Sequence, residues 1–164
     1  MVITPFSPES LGPCFIGTPP ANSAVWPGVD HAIYVPFVAS TPMAVQNMGV
    51  YNGATVSGNF DIGIYDDQQN LIAHSGSTAQ AGTTQWQVVA VSAAFDPGVY
   101  YMALAFDNTT ATTYGVSGGQ ASDLRALGVL TQTLSSVTLP SSATFAAAGD
   151  TRIPAMMLTQ AAVF

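Results

Sequence analysis

At 164 residues the chain is long enough for one domain that buries a core without help from disulfides or metals. Charged residues make up 7% of it, against about 25% in an average soluble domain, so its polar surface rests on Ser, Thr, Asn, Gln and backbone, which a partner can cover with little ion desolvation. There is no lysine, Arg125 and Arg152 are the only cations, and the formal net charge is −7, which excludes direct binding to nucleic-acid phosphates and adhesion to an anionic membrane.

Residues 1–30 hold Pro5, Pro8, Pro13, Pro19, Pro20 and Pro27 with Gly12, Gly17 and Gly28, a density that disfavours any regular element longer than a few residues. The segment reads as an extended proline-rich N-terminal arm, and Phe6, Leu11, Phe15, Ile16 and Trp26 predict that it lies along a surface, its own or a neighbour's. Cys14 is alone, so no internal disulfide forms; Pro13 and Phe15 supply no activating charge, and it reads as a packed apolar residue. Residues 1–10 lack a basic n-region, and residues 153–164 are too short and interrupted to span a bilayer, so no secretion or anchoring signal is expected.

From His31 onward, short β-rich runs recur between turn signals. Residues 31–38 (HAIYVPFV) predict a strand that Pro36 places at an edge or bulge. Residues 43–51 (MAVQNMGVY) end at Asn52-Gly53, a turn dipeptide that tolerates positive φ. Residues 59–66 (NFDIGIYD) alternate cleanly, with Phe60, Ile62 and Ile64 on one side and Asp61, Gly63 and Tyr65 on the other. Residues 66–70 read as a hairpin loop into 71–75, and 77–83 as a connection to a strand over 84–92. Asp96-Pro97-Gly98 predicts a tight turn into 99–106 (VYYMALAF), a fully apolar run suited to a central strand. Further strands are expected over 112–117, 128–132, 144–147 and 154–160, and one helical turn over 121–126, capped by Ser122 or Asp123.

Eight or nine short strands at such loop spacings, with no long amphipathic helix, predict an all-β protein, a single antiparallel β-sandwich of jelly-roll-like type. Residues 1–30 form its arm and 31–164 the β-sandwich domain.

The inventory for chemistry is small: nine acids, two histidines, one cysteine and two arginines, mostly at turns. Asp30-His31 imitates an oriented base but has no nucleophile context, and the pair reads as the start of the first strand. His74 lacks partners for zinc, which needs at least three protein ligands. Asp61, Asp66, Asp67, Asp96 and Asp107 at strand ends leave calcium open, although D-D-Q-Q-N lacks EF-hand spacing. Glu9 is the only glutamate, and no Asp pair is singled out for glycoside hydrolysis. Tyr51, Tyr65, Tyr100, Tyr101, Trp26 and Trp86 leave a sugar-stacking platform open beside an ordinary core or interface role. No catalytic, cofactor-binding or metal residue is assigned, and an enzyme is not expected.

The stretches SGNFDIGIYDDQQNLIAHSGSTAQAG and PGVYYMALAFDNTTATTY, within residues 56–113, resemble a domain of structural (virion) proteins of tailed bacteriophages. WPGVDHAIYVPF, MGVYNGATVSGN, LGVL and LPSSATFAA are similar to it as well, so the likeness covers most of residues 26–158, leaving the arm unmapped. Its motifs are those of strands and turns. The resemblance implies a virion location, at the surface of a particle assembled in the host cytoplasm. The leading expectation is a capsid decoration (cement) protein, a homo-oligomer, trimeric, that docks on the major capsid protein or another virion protein. The alternative is a tail-fibre, tail-tip or baseplate domain that binds host glycans.

Overall fold

The computed structural model describes residues 22–117 and 120–160. Residues 1–21 of the expected arm, with Glu9 and Cys14, lie outside the described residues. The chain runs through β1 (Asn22–Val25), β2 (His31–Ala39), β3 (Met43–Tyr51), β4 (Asn59–Asp66), β5 (Leu71–His74) and β6 (Thr78–Ala79). It continues through β7 (Trp86–Phe95), β8 (Gly98–Phe106), β9 (Thr112–Ser117), the helical turn α1 (Ala121–Ala126), β10 (Leu130–Thr133), β11 (Ala146–Ala147), β12 (Arg152–Pro154) and β13 (Met156–Gln160). The protein is all-β with antiparallel sheets.

The largest sheet has the order β11-β10-β2-β8-β4-β5, with β6 also paired to β4. Two three-stranded sheets, β1-β9-β12 and β13-β3-β7, complete the set. They are joined at Ala155, whose N–H donates to the Tyr114 carbonyl and whose own carbonyl accepts from the Tyr51 N–H. The pairings nest: β1 with β9, β2 with β8, β3 with β7, and β4 with β5 and β6.

Period-two alternation decides which residues enter the core. Phe60, Ile62 and Ile64 of β4, Met102, Leu104 and Phe106 of β8, and Ile33 and Val35 of β2 meet Val45, Met48, Val50, Val91, Met156 and Leu158 from β3, β7 and β13. Each fully buried side chain of this size contributes about 1.5–3 kcal/mol. Trp26, just after β1, belongs to the same cluster, its ring 4.9 Å from that of Phe106 and its Nε1–H donated to the His31 carbonyl at 2.8 Å.

The other face of the large sheet carries Ala32, Tyr34, Tyr65, Ala103 and Ala105. Chain between β10 and β11 folds over it, packing Val137, Leu139, Ala143 and Phe145 against these residues. The lid is pinned by polar contacts: the Tyr65 hydroxyl donates to the Pro140 carbonyl at 2.6 Å, and the Leu139 N–H to Asp61 Oδ2 at 2.9 Å. Gly63 is what lets it sit so close, since a Cβ there would come within 2.9 Å of the Ala73 carbonyl oxygen and of Leu139 Cδ1.

Several sequence expectations change in detail. Asn52-Gly53 is no positive-φ hairpin turn: β3 and the following β4 lie in different sheets, so the chain crosses over, and the Asn52 N–H donates to Gln85 O and the Gly53 N–H to Thr112 O. Asp96-Pro97-Gly98 is the tight turn expected, from Phe95 of β7 into β8, and it links two sheets, because β7 pairs with β3 and β8 with β2 and β4. By contrast, 66–70 is a true hairpin, closed by the Gln69 N–H on Asp66 O with Gln69 at φ 70°. Pro36 is tolerated in β2 because β10 flanks only His31 to Tyr34, leaving that side free at the proline. The strand expected over 154–160 is divided at Ala155, and its extension β12 reaches the other small sheet. The helical turn is capped by Gln120 rather than Ser122 or Asp123; Asp123 Oδ2 instead accepts the Gln120 N–H at 3.0 Å.

Candidate functional site

Each described histidine is committed to a carboxylate. His31 Nε2 lies 2.6 Å from Asp150 Oδ2, so its partner is not the adjacent Asp30, whose backbone at φ 50° instead donates to Phe106 O and accepts from Leu134 N. His74 Nδ1 lies 2.7 Å from Asp61 Oδ2. Asp61 is wholly buried beneath the lid, and it also accepts from the Ser75 hydroxyl at 3.1 Å and from Leu139 N–H. This carboxylate ties β4, β5 and the lid together. Ser75 bonds to the acid rather than to the imidazole, so the trio lacks the nucleophile-to-base contact of a hydrolytic triad.

The acids read as a possible calcium set do not converge. Asp61 is inside; Asp66, Asp67 and Asp96 sit at one end of the sheets; Asp107 sits beside Asn59 at the opposite end of β4, roughly 20 Å away by strand rise. Among the described residues no three of His, Cys, Asp and Glu are grouped to hold a metal ion. Asp107 Oδ1 and Oδ2 accept from the Asn59 backbone and side chain at 3.0 and 3.1 Å, and Asn108 Nδ2 donates to Oδ1 at 2.7 Å. Burial alone would raise this carboxyl, but these hydrogen bonds outweigh it and hold it below its ordinary value of 3.8.

Arg152 is the buried cation. Its Nη1 donates to Ala24 O and Val25 O at 2.8 and 2.6 Å, its Nη2 to Thr113 O and Oγ1 at 2.6 and 2.7 Å, and the guanidinium stands 5.7 Å over the Trp26 ring. Burial, partly opposed by Asp150, pulls it down to about 10. It clamps β1 to β9.

The aromatics divide into separate groups rather than one platform. Trp26 and Tyr65 are buried, Tyr51 packs edge-on against Trp86 and Tyr114, Tyr101 lies under Phe145, and Tyr100 joins Phe37 and Phe95.

That last group lies where β7 ends and β8 begins, on the face of the large sheet opposite the lid. On the lid face, Val38 and Val99 stand opposite each other in the register of β2 and β8 and are 69% and 45% exposed. Pro36, on the same face, meets Gly128, where φ is 75° and a Cβ would come within 3.3 Å of the ring; Leu127 before it is 63% exposed. On the other face of the large sheet a shallow groove of about 460 Å3 is lined by Pro42, Met43, Ala44, Ala94, Phe95 and Asp96. Phe95 is backed by Tyr100 at 4.4 Å and Phe37 at 6.1 Å between ring centroids, and the Tyr100 hydroxyl braces the turn by donating to Asp96 O at 2.8 Å. Burial, then the charges of Asp96, Asp67 and Asp66, raise the Tyr100 phenol.

Comparison with protein-family models, curated proteins and solved structures finds no match. Chemically, the exposed valines suit burial against another surface. Sequence reading passed over Val38, Val99 and Leu127, yet one signal was there: Val35 to Val38 is an unbroken apolar run, so both faces of β2 are apolar at that end.

Proposed function

We propose that the chain is a non-catalytic structural domain of a tailed-bacteriophage virion, a capsid decoration (cement) protein that docks on the head and stabilises it. The observation that carries the reading is the pair of exposed valines, Val38 and Val99, side by side on an uncovered part of the large sheet, on a molecule with 7% charged residues. Such a surface gains by burial and loses little ion hydration, which is what a protein that reinforces a lattice by adding contact area requires. The virion assignment rests on the strand and turn motifs around residues 59–66 and 97–108. The nested strand pairs support a jelly-roll-like β-sandwich, since a folded-back ribbon of strands that rolls up gives that order. The Ser75 hydroxyl bonds to Asp61 rather than to His74, which leaves that histidine–carboxylate pair without a nucleophile and supports a non-catalytic role. Self-association into a trimer is part of the reading, in keeping with the symmetry of decorated lattices. Purified protein mixed with emptied or mildly heated capsids is expected to rebind and raise their melting temperature; failure to bind sinks the assignment.

A further inference from the structure

We propose that copies of this chain meet through the outer face of the two small sheets, β13-β3-β7 and β1-β9-β12; the inference rests on the self-association in the reading above and names the surface that carries it. Alternation turns Met48 and Val50 of β3 into the core and Gly49 and Tyr51 outwards. Trp86 and Val88 of β7 stand opposite Tyr51 and Gly49 in the register. Met157 of β13 lies over Gly49 from the other side, where a Cβ would come within 2.8 Å of its Cε. The face continues onto the second sheet, because the bridge between Asn52 and Thr113 sets Tyr51 against Tyr114, and their rings stand 5.1 Å apart. Val116 follows two residues later on the same side of β9. Val88 and Val116 are 48% and 45% exposed, so the face has apolar area to bury in both sheets.

Charge decides what such a face receives. The chain carries a formal charge of −7, so two copies repel each other wherever their acids approach. The six strands of the two small sheets contain no Asp or Glu, and Arg152, their single cation, is buried against Thr113. The acids nearest in sequence, Asp96 and Asp150, fall just past β7 and just before β12, beyond the ends of the strands. A second copy brings a face with the same lack of charge. Aromatic and aliphatic area is then buried from both sides, no ion loses its water, and the acids of both copies stay in solvent. By strand spacing the two sheets offer about 600 Å2 per copy, or about 1,200 Å2 for a pair, the size at which stable interfaces begin. Val38 and Val99 lie on the lid side of the large sheet, away from this face, so copies joined in this way still present them to another protein.

The test is sedimentation velocity of the full chain over a range of concentrations. The parent chain is expected to associate, and to do so more tightly as salt is added, since salt screens the repulsion between copies. The pair Val88→Glu and Val116→Glu is expected to weaken association at least about a hundredfold by setting like charges against each other in the interface. Ala90→Glu, at an exposed position next along the same side of β7, is expected to act in the same direction, and it decides the matter if the valine pair fails to fold. The pair Val38→Glu and Val99→Glu, on the lid side, is expected to leave association unchanged. A parent chain that stays monomeric, association that survives the changes on this face, or association that the Val38 and Val99 pair abolishes overturns the proposal. Capsid rebinding is read separately. If copies associate through this face but capsids do not take up the protein, the head assignment falls and the face stands. If capsids take up a chain that stays monomeric, the face falls and the head assignment stands.

Discussion

Arg152 shows how a sparsely charged chain spends one of its two cations. Four hydrogen bonds from the two terminal nitrogens reach backbone and hydroxyl oxygens on β1 and β9, while Nε is buried without a partner. No carboxylate touches the guanidinium; the nearest electrostatic help is Asp150, and burial still lowers its pKa to about 10, so the cation carries a desolvation cost at neutral pH. What offsets that cost is the planar fork, which reaches Ala24, Val25 and Thr113 at once and stacks over Trp26. A lysine has the charge without the fork. Arg152→Lys is expected to lower stability by about 1–3 kcal/mol, read by thermal melting, and to remove amide-exchange protection from β1 before the rest of the fold. Unchanged protection in β1 would show that the clamp does not hold it.

At the scale of elements, polar side chains fasten the ends of strands that alternation alone leaves loose. Asp107 follows β8 and holds the first residue of β4 through both the backbone and the side chain of Asn59. Because its folded-state pKa is depressed, its contribution is present above the ordinary carboxylate value of 3.8 and is lost as pH falls through the lower, folded value. Melting temperatures of the parent chain and of Asp107→Asn are therefore expected to differ most near neutral pH and to converge below about pH 3. A gap that stays constant from neutral to strongly acid solution would contradict the assignment. A comparable role falls to Gln80, whose amide donates to Asn52 Oδ1 and Thr112 O at 2.9 and 3.0 Å and ties the 77–83 connection to β3 and β9.

Elements whose signal is local could be read from sequence. The alternation of 59–66 and the apolar run of 99–106 gave two strands at nearly the residues observed, because a strand's period is written within it, whereas the burial of both faces of β4 depends on the distant lid. What joins the strands could not be read the same way. Asn52-Gly53 and Asp96-Pro97-Gly98 read as turns, and only the pairing of distant strands shows that the chain passes from one sheet to another there. The polar partners are equally nonlocal: His31 meets Asp150 across 119 residues, Arg152 meets Ala24 across 128, and Asp61 meets Leu139 across 78. For that reason Asp30-His31 looked like a pair and is not one. The uncovered part of the large sheet belongs to the same class, since exposure of Val38 and Val99 depends on where the lid from 134–145 stops.

Taken as a whole, the molecule buries one acid, Asp61, among hydrogen-bond donors, spends its cations on its own fold and leaves apolar side chains such as Val38 and Val99 exposed. Those properties suit a part that others cover. Its polar centres hold strands together through neighbours within the fold. The most direct measurement of the central claim is an electron-microscopy map of the particle at a resolution that traces this chain. The account predicts the domain on the outer surface of the head, with the Val38 and Val99 end buried against a neighbouring protein. Density that places the chain elsewhere in the particle, or leaves that end facing solvent, would contradict it.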